Sequence, residues 1–427
     1  MLNKIKAWYE TSKRLNFIGL LLFAIIITFQ PVFFAPTYII AFFWFFYLLS
    51  FKPDRLIRLK NNFWFWWFFA FYVWYLIGAA YSENGQEAGR LIVLKITLFL
   101  WPLAFGSLSK LNAKHLKMVL HAFVLGMFVS SLICLILSFV DYLELRDWNR
   151  MFGNDLAQWR FLPNHYFGMY TSFAILILVF DFLSSNNRAD SFKKAKILLI
   201  IYFSIFLVML SVRIQLIALP TVLFVLFFAS DVGKVQKVKF AKIGFASVVL
   251  FAIAIAVFPD SRRRVIETAH EIRSFEKVVD NKQTNHRVYI WREGVEVIKE
   301  EPVLGKGTGS EDQNLALRLE KIDAKFWDGS SVYFLSSGNY NYHNQFLQWF
   351  ASNGILGLIF ILVMFGISFY HSLKKNKGLV AAWLALCFIS FLTESMLERQ
   401  AGVMFFGFFF GLLIINQLPS NEKSNTT

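Results

Sequence analysis

The chain is a series of long apolar runs separated by short polar segments, with one long polar segment after residue 258. A helix needs about 20 largely apolar residues to cross the hydrocarbon core of a bilayer. This criterion predicts an all-α integral membrane protein with about 12 transmembrane helices. The predicted runs cover residues 15–33, 36–51, 62–80, 90–108, 117–140, 163–184, 196–211, 213–230, 240–258, 344–370, 378–393 and 401–417.

The polar loops between these runs predict how the chain is oriented. Lysines and arginines follow every even-numbered run, as at Lys52, Lys110, Lys193, Lys234 and Lys374. By the positive-inside rule both termini are predicted to be cytoplasmic, and the odd-numbered loops external. The basic N-terminus without a small-residue cleavage pattern predicts a retained first helix.

Composition supports the membrane class. Apolar residues make up 57% of the 427, against roughly 45–50% in a soluble domain. The net charge of +15 lies in the short loops, so it indicates topology and predicts no nucleic-acid partner. Cys134 and Cys387 lie inside apolar runs, which excludes a disulfide framework and a cysteine zinc site.

The long polar segment divides the chain into residues 1–258 with runs one to nine, an external loop at 259–343, and residues 344–427 with the last three runs and a short tail. The loop opens on the basic stretch Ser261–Arg264. Polar groups of the protein are therefore expected to converge on the external face.

Arg213 follows a Ser-Val pair in a tight turn between runs seven and eight. An arginine held at the membrane surface is costly without an anionic partner. Two interpretations stay open: a snorkelling interfacial arginine, or a receptor for phosphate, whose oxygens guanidinium binds bidentately.

Arg287 falls in the first turn of a helix predicted from Arg287 to Glu301, capped by Thr284 or Asn285 and stopped by Pro302. Helix N-termini attract anions, so Arg287 is either a second anion ligand or a solvent-facing surface residue. The predicted apolar face of this helix comprises Val288, Trp291, Val295 and Ile298.

The glycine-rich stretch 305–309 is not a Walker sequence, because four residues must separate the first glycine from the Gly-Lys pair. A flexible connection or a close-approach turn is expected, with a secondary binding role for Lys306. His343 and Asn344 stand where the loop re-enters the membrane. His343 is either a general base or a capping or interfacial residue.

Three further charges stand near membrane ends. Lys95 is expected to snorkel to the interface. Glu394 and Glu398 are spaced to share a helix face, where they orient an arginine or accept protons, or form a wetted helix end. Trp148, Trp159 and Trp327 are candidates for stacking on sugars, although interfacial anchoring explains the first two equally well.

Together these residues resemble the O-antigen ligase family of bacterial membrane glycosyltransferases, whose superfamily includes O-antigen polymerases and protein O-oligosaccharyltransferases. Twelve spans with one large external loop match the family plan. The motifs that carry the resemblance are the arginine turn at 211–213, Arg287 with Trp291, the Pro-Val-Leu-Gly-Lys-Gly stretch at 302–307, and His343-Asn344 followed by Gly354 and Gly357.

The resemblance implies transfer of a glycan from undecaprenyl pyrophosphate to an acceptor hydroxyl at the external face of the inner membrane, most plausibly lipid A-core. It implies that Arg213 and Arg287 bind the pyrophosphate and that His343 is the base, with Asn344, Lys306 and Trp291 near the substrate. No cofactor is expected, and without an Asp-x-Asp pair no bridging metal is indicated. A polymerase, a protein O-oligosaccharyltransferase and, from a different class, a flippase remain alternatives.

Overall fold

The computed structural model describes residues 2–29, 35–157, 162–184, 192–231, 283–284, 286–321, 325–326 and 341–418. The predicted ninth run, the basic stretch Ser261–Arg264, Asn285, Trp159 and Trp327 lie outside these residues. Sixteen α-helices make up most of the described chain. They are α1 Leu2–Ile26, α2 Ala35–Leu49, α3 Asp54–Lys60, α4 Phe63–Ala80, α5 Gly85–Lys95, α6 Thr97–Ser107, α7 Ala113–Leu145, α8 Gly153–Ala157, α9 Asn164–Ser184, α10 Lys193–Met209, α11 Arg213–Ala229, α12 His286–Glu300, α13 Glu311–Leu319, α14 Gln345–Lys374, α15 Gly378–Phe391 and α16 Gln400–Phe410.

Short elements complete the described fold. The strands β1 (Gln283–Thr284) and β2 (Lys325–Phe326) pair in parallel, so Thr284 lies in a strand. Three 3₁₀ turns and one π-helical turn are also present. They are Ile27–Phe29, Trp148–Met151 and Met396–Glu398, followed by the π-helical Gly411–Ile415.

The helices confirm the predicted all-α membrane class. Within the described residues, six spans are long and apolar enough to cross a membrane, and four shorter apolar helices accompany them. Large apolar side chains such as Phe224, Phe228 and Leu198 are more than 60% exposed. A bilayer can solvate such surfaces, whereas water cannot without cost.

Run four differs from its prediction. It begins earlier, at Gly85, because the Asn84 side chain caps the helix by accepting a hydrogen bond from the Glu87 N–H (3.1 Å). It then divides at Ile96 into α5 and α6. Pro102 lies inside α6 and cannot donate to the carbonyl four residues earlier, which weakens the ladder close to this division.

The centre of the bundle is α16, whose residues from Ala401 to Phe410 are all buried. A helix that is apolar all round is buried on all sides. Its rings pack edge-on, tilted and stacked against aromatic side chains of α6, α1 and α15, respectively Trp101, Phe23 and Trp383. Such ring pairs contribute packing energy that does not depend on exclusion of water, as packing inside a bilayer requires.

Residues 302–309 form a docking turn on the ends of α4 and α14. The alternative of a close-approach turn is the one observed, since Gly305, Gly307 and Gly309 all have positive φ. Backbone groups make three bonds of this contact, and the hydroxyl groups of Thr308 and Tyr81 donate two more, to the carbonyls of Tyr75 and Leu304. The N–H groups of Lys306, Gly307 and Thr308 donate to the carbonyls of Ala351 (2.8 Å), Ser352 (3.0 Å) and Gly78 (3.1 Å).

Gly354 explains how the docking turn approaches so closely. Its backbone is left-handed (φ 65°) inside α14, where the helix is kinked. A Cβ atom there would stand 1.9 Å from the carbonyl oxygen of Val303. Only glycine meets both conditions, so this residue fixes the long loop to the helix that carries the candidate site.

Candidate active site

His343 lies immediately before the N-cap of α14, in the left-handed region with φ 45°. Asn344 is the cap: its side-chain oxygen accepts hydrogen bonds from the N–H groups of Phe346 (2.9 Å) and Leu347 (3.0 Å). The helix end is thereby satisfied without His343. The interpretation of His343 as a capping residue is therefore wrong, and its imidazole is directed to a different contact.

That contact is Glu394, which follows α15. The Nδ1 atom of His343 is 3.0 Å from Oε2 of Glu394. The same carboxylate oxygen lies 3.9 Å from the guanidinium of Arg287 and 4.0 Å from Nε2 of His165. We call these four residues the Glu394 cluster. It joins the start of α9, the first turn of α12, the start of α14 and the segment after α15.

The electrostatics of the cluster keep Glu394 ionised. The side chain is only 6% exposed, and burial by itself would raise the pKa of Glu394. The hydrogen bond with His343 and the nearby His343, His165 and Arg287 outweigh burial and lower that pKa to about 2. At neutral pH the group is therefore a carboxylate that accepts a proton-bearing Nδ1, and it directs the Nε2 atom of His343 away from itself.

Arg213 begins α11 two residues after Ser211, whose φ of 52° makes the predicted tight turn. Its neighbour Gln215 is buried and donates to the Ser390 hydroxyl of α15 (2.8 Å). This bond places the first turn of α11 beside the last turn of α15, from which the chain continues to Glu394. The structure thus brings Arg213 to the same end of the bundle as the cluster.

Trp291 and Asn344 hold the segment around His343 in place. The indole N–H of Trp291 donates to the carbonyl of Tyr342 (2.9 Å). The amide of Asn344 donates to the carbonyl of Leu392 (3.0 Å), and its backbone N–H donates to the Ser395 hydroxyl (3.3 Å). Both residues therefore position the chain on either side of the His343–Glu394 contact.

Lys306 lies elsewhere. Its ammonium group pairs with Glu300 (2.8 Å) at the end of α12. No contact given for the described residues connects it with the Glu394 cluster. The apolar face of α12 also differs from the prediction, because Val295 is 40% exposed while Ile290, Val297 and Ile298 are buried. The helix is rotated to bring Tyr289 and Gly294 against the loop core, where Gly294 contacts Tyr342.

The predictions for Lys95 and for the shared helix face of Glu394 and Glu398 are wrong. Lys95 does not snorkel: it is completely buried, and its ammonium group is 2.6 Å from Glu398. Glu398 ends a 3₁₀ turn, and Glu394 precedes it in a non-helical segment. The helix ends early here because tertiary contacts engage its polar groups, including the carbonyl of Leu392.

A second group of acids fastens the loop to α14. Glu311 is buried and accepts hydrogen bonds from the Gly309 N–H (2.7 Å) and the Gln348 amide (3.0 Å). Gln348 also donates to Asp312 (2.8 Å). Burial, with the nearby charge of Glu398, raises the pKa of Glu311 to about 7. Burial likewise raises the pKa of Asp312 well above its usual value.

Sequence reasoning did not connect two members of the cluster with His343. His165 comes two residues after Pro163 at the start of run six, a position with no motif around it, and no role was predicted for it. Glu394 was expected to orient an arginine or accept protons, but no particular partner was predicted. The available signal was an acidic residue directly after an apolar run, since such residues in membrane proteins are usually paired.

The remaining aromatic candidate within the described residues, Trp148, is 54% exposed and packs edge-on against Tyr142. Within the same residues no group of three or more histidines, cysteines and acids is arranged to hold a metal ion. The candidate site therefore consists of charged and imidazole side chains held at one end of a helical bundle.

Fold and site define a polytopic α-helical membrane protein with a charged cluster beneath a docked polar loop. Residues 198–362 match the family model of the O-antigen ligases. This confirms the resemblance to the O-antigen ligase family, whose domain runs from α10 into α14.

A curated relative is the exopolysaccharide production protein ExoQ of Rhizobium meliloti (strain 1021), which is 27% identical over 89 residues. The match covers 21% of this chain and spans about a fifth of the relative's length (19%). The chain is thus similar to O-antigen ligases over residues 198–362 and, over 89 residues, to a protein named for exopolysaccharide production.

Proposed function

We propose that the protein transfers a glycan from undecaprenyl pyrophosphate to an acceptor hydroxyl of lipid A-core on the periplasmic face of the bacterial inner membrane. One observation carries this proposal: a buried carboxylate, Glu394, lies 3.0 Å from His343 and 3.9 Å from Arg287. The arrangement combines an oriented imidazole with a guanidinium in one site.

In the proposed reaction Glu394 accepts a hydrogen bond from Nδ1–H of His343, so the lone pair of Nε2 is available to take the proton of the acceptor hydroxyl. The acceptor oxygen then forms a bond to the anomeric carbon of the donor. The bond from that carbon to the pyrophosphate oxygen breaks, and undecaprenyl pyrophosphate leaves with the electron pair. A base opposite the leaving group gives inversion at the anomeric carbon.

Arg287 and Arg213 are assigned to the pyrophosphate. The contact of Arg287 with Glu394 is electrostatic at 3.9 Å, longer than a hydrogen bond. A guanidinium carries five N–H donors in a planar fork that matches phosphate oxygens. Two such groups neutralise the charge that develops on the departing pyrophosphate, so the proposal assigns no metal to this step.

The proposed topology is the one predicted from the charged loops. Twelve spans cross the inner membrane, both termini are cytoplasmic, and the loop at 259–343 is periplasmic between residues 1–258 and 344–427. The position of the Glu394 cluster at the loop end of the bundle supports this division. Cysteine-accessibility labelling tests it: external reagent that reached a cysteine at Lys237 but not one at Lys325 would overturn the orientation.

A polysaccharide polymerase is the second candidate, and the likeness to ExoQ favours it because that protein is named for exopolysaccharide production. Its chemistry is the same, with a growing glycan as the acceptor. A protein O-oligosaccharyltransferase differs only in accepting a protein hydroxyl. A flippase is less well supported, since the proposed residues cluster at one end of the bundle and not at mid-membrane.

Loss of the gene separates these candidates. For a ligase we expect lipid-linked polymer to accumulate beside lipid A-core that carries no polymer. For a polymerase we expect core capped by single repeats. Purified protein given undecaprenyl-pyrophosphate glycan and lipid A-core should release undecaprenyl pyrophosphate together with the extended acceptor. The proposed reaction would be excluded if gene loss left surface polymers unchanged and if the purified protein released no undecaprenyl pyrophosphate with lipid A-core or with a glycan acceptor.

A further inference from the structure

A cavity of about 860 Å³ lies beside the Glu394 cluster, with walls from α5, α13 and the start of α16. Two other lining residues connect it to the cluster. Asn341 accepts a hydrogen bond from the backbone N–H of His343 (3.0 Å), and Pro163 stands two residues before His165. The cavity and the cluster therefore share a wall. Its volume falls in the roughly 300–1,000 Å³ range of small-ligand sites.

The lining combines amide and aliphatic side chains. Amides donate and accept hydrogen bonds at the same time, and aliphatic groups offer flat C–H surface. A sugar ring presents hydroxyl groups around its edge and C–H groups on its faces, so it uses both. The residues concerned are Gln313, Asn341 and Gln400 for the amides, and Leu91, Leu94 and Leu317 for the aliphatic surface. Asn84 also lines the cavity, but its amide is engaged by Gln313 (3.0 Å) and by the Glu87 N–H (3.1 Å).

The charges of the lining favour a neutral ligand over a phosphate. Arg90 already donates to Glu87 (2.8 Å), and Glu398 is paired with the buried Lys95 (2.6 Å). Arg399 also lines the cavity and is exposed to solvent. A phosphate site in a cavity needs converging cationic donors, whereas here acidic and amide groups outnumber the arginines.

We infer that this cavity binds an oligosaccharide, either the acceptor glycan or the glycan of the lipid-linked donor. The assignment to these two substrates rests on the proposed function, whereas the carbohydrate chemistry rests on the lining alone. Bound there, a sugar hydroxyl can reach the Glu394 cluster past Asn341, while the lipid remains outside the cavity.

Cysteine protection tests the inference without measuring catalysis. The two native cysteines are both buried, so they give little background with maleimide. Ala316→Cys places a thiol in the cavity wall, and Glu320→Cys serves as a second position if the first variant folds poorly, since Glu320 also lines the cavity and is exposed. Val295→Cys is the control, because Val295 is 40% exposed on α12 and does not line the cavity.

Labelling rates are compared with three probes in detergent, prepared from the organism that encodes the chain: core oligosaccharide released by mild acid, undecaprenyl-pyrophosphate glycan, and undecaprenyl pyrophosphate without glycan. We expect a glycan to slow labelling in the cavity several-fold and to leave Val295→Cys unchanged. Protection by the core oligosaccharide identifies the acceptor site. Protection by the glycan-bearing lipid alone identifies the donor-glycan site.

Protection by neither glycan, or equal protection by undecaprenyl pyrophosphate without glycan, would overturn the inference. Failure of the proposed function gives a different result. In that case a glycan protects the cavity cysteine, but the purified wild-type protein releases no undecaprenyl pyrophosphate from the lipid-linked donor.

Discussion

Two carboxylates near opposite ends of α9 have similar surroundings but different geometry: Glu394, whose side chain is 6% exposed, and Asp181, whose side chain is 12% exposed. Glu394 lies by His165 at the start of the helix, and Asp181 lies 16 residues further on, which is roughly 24 Å along the axis. Each is surrounded by three basic side chains. Around Asp181 these are Lys117 (2.5 Å), Lys196 (2.7 Å) and His121 (3.3 Å).

The difference lies in how the basic groups use the carboxylate. At Asp181 two ammonium groups are within hydrogen-bond distance, so the charges compensate one another directly. At Glu394 only His343 is that close, and Arg287 and His165 stay at 3.9 and 4.0 Å. The direct ion pairs of Asp181 hold helices together. We propose that Glu394, with its longer contacts, orients His343 and Arg287 towards a substrate. We therefore expect the first to determine stability and the second to determine activity.

The largest effect is expected from His343→Ala. Loss of a positioned general base should lower transfer by about 10²–10⁴-fold, with normal membrane levels and largely intact donor binding. His121→Ala is the matched control, since it removes the histidine beside Asp181. Equal losses of transfer in the two variants, measured with reconstituted protein, would erase the distinction between the clusters.

Glu394→Gln should lower kcat by about 10²-fold, at the lower end of the contribution of acid–base catalysis. A glutamine amide can donate to Nδ1 of His343 and so stabilise the tautomer whose Nε2 carries the proton. The KM for the donor should change little. A wild-type kcat in this variant would show that the carboxylate does not orient the base.

Arg213→Lys and Arg287→Lys should each lower transfer about tenfold or more, although the charge is kept, because lysine lacks the planar bidentate fork. The expected readout is a weaker response to undecaprenyl pyrophosphate as a product inhibitor. Arg292→Lys provides the control on α12, where the guanidinium pairs with Glu293 (3.0 Å). Wild-type rates in both lysine variants would refute the pyrophosphate assignment.

Asp181→Asn should leave transfer per folded molecule unchanged and lower stability. Removing one partner of a buried ion pair costs about 3–5 kcal/mol, and the neighbouring Lys196 side chain is only 9% exposed. The melting temperature in detergent measures this loss. Glu296→Gln, which breaks an exposed pair with Lys299, should melt like the wild type. An Asp181→Asn protein that melted like the wild type but was inactive would show that Asp181 serves activity and not stability.

The smallest effect is expected from Glu311, which fastens the loop to α14, and it concerns how the melting temperature depends on pH. The pKa of Glu311 is raised in the folded protein from 4.5 to about 7. Its stabilising contribution is therefore fully present below about pH 4.5 and is lost as the pH rises through 7. Glu311→Gln should flatten the decline of melting temperature over this interval. If the melting temperature of Glu311→Gln declined with pH as steeply as that of the wild type, a different group would be responsible for the pH dependence.

The sequence was informative where one local property decides the structure. Apolar runs of sufficient length predicted the described membrane helices, and the turn before Arg213 followed from the absence of any loop between two runs. Such features depend on a few neighbouring residues. The division of run four at Ile96 and the orientation of α12 depend on what each element packs against, so periodicity alone did not give them.

The sequence predicted individual residues of the site but not the contacts between them. His343 and Arg287 were candidates by position, but their common partner Glu394 lies at least 51 residues away along the chain. Lys95 was expected at the interface because nothing near it in sequence reveals Glu398, which is 303 residues distant. Pairing of buried charges is a property of the folded state, and a single sequence identifies the charges without identifying the pairs.

The kink at Gly354 has a consequence for how this chain can diversify. The docking turn is held mainly by carbonyl and amide groups that every residue possesses, by the buried Thr308 hydroxyl, and by the absence of a Cβ atom at Gly354. Substitutions among the exposed side chains of the loop therefore leave its seat on the bundle unchanged. Natural variation can thus change the side chains that the loop presents to a glycan, while the backbone hydrogen bonds of the docking turn stay the same.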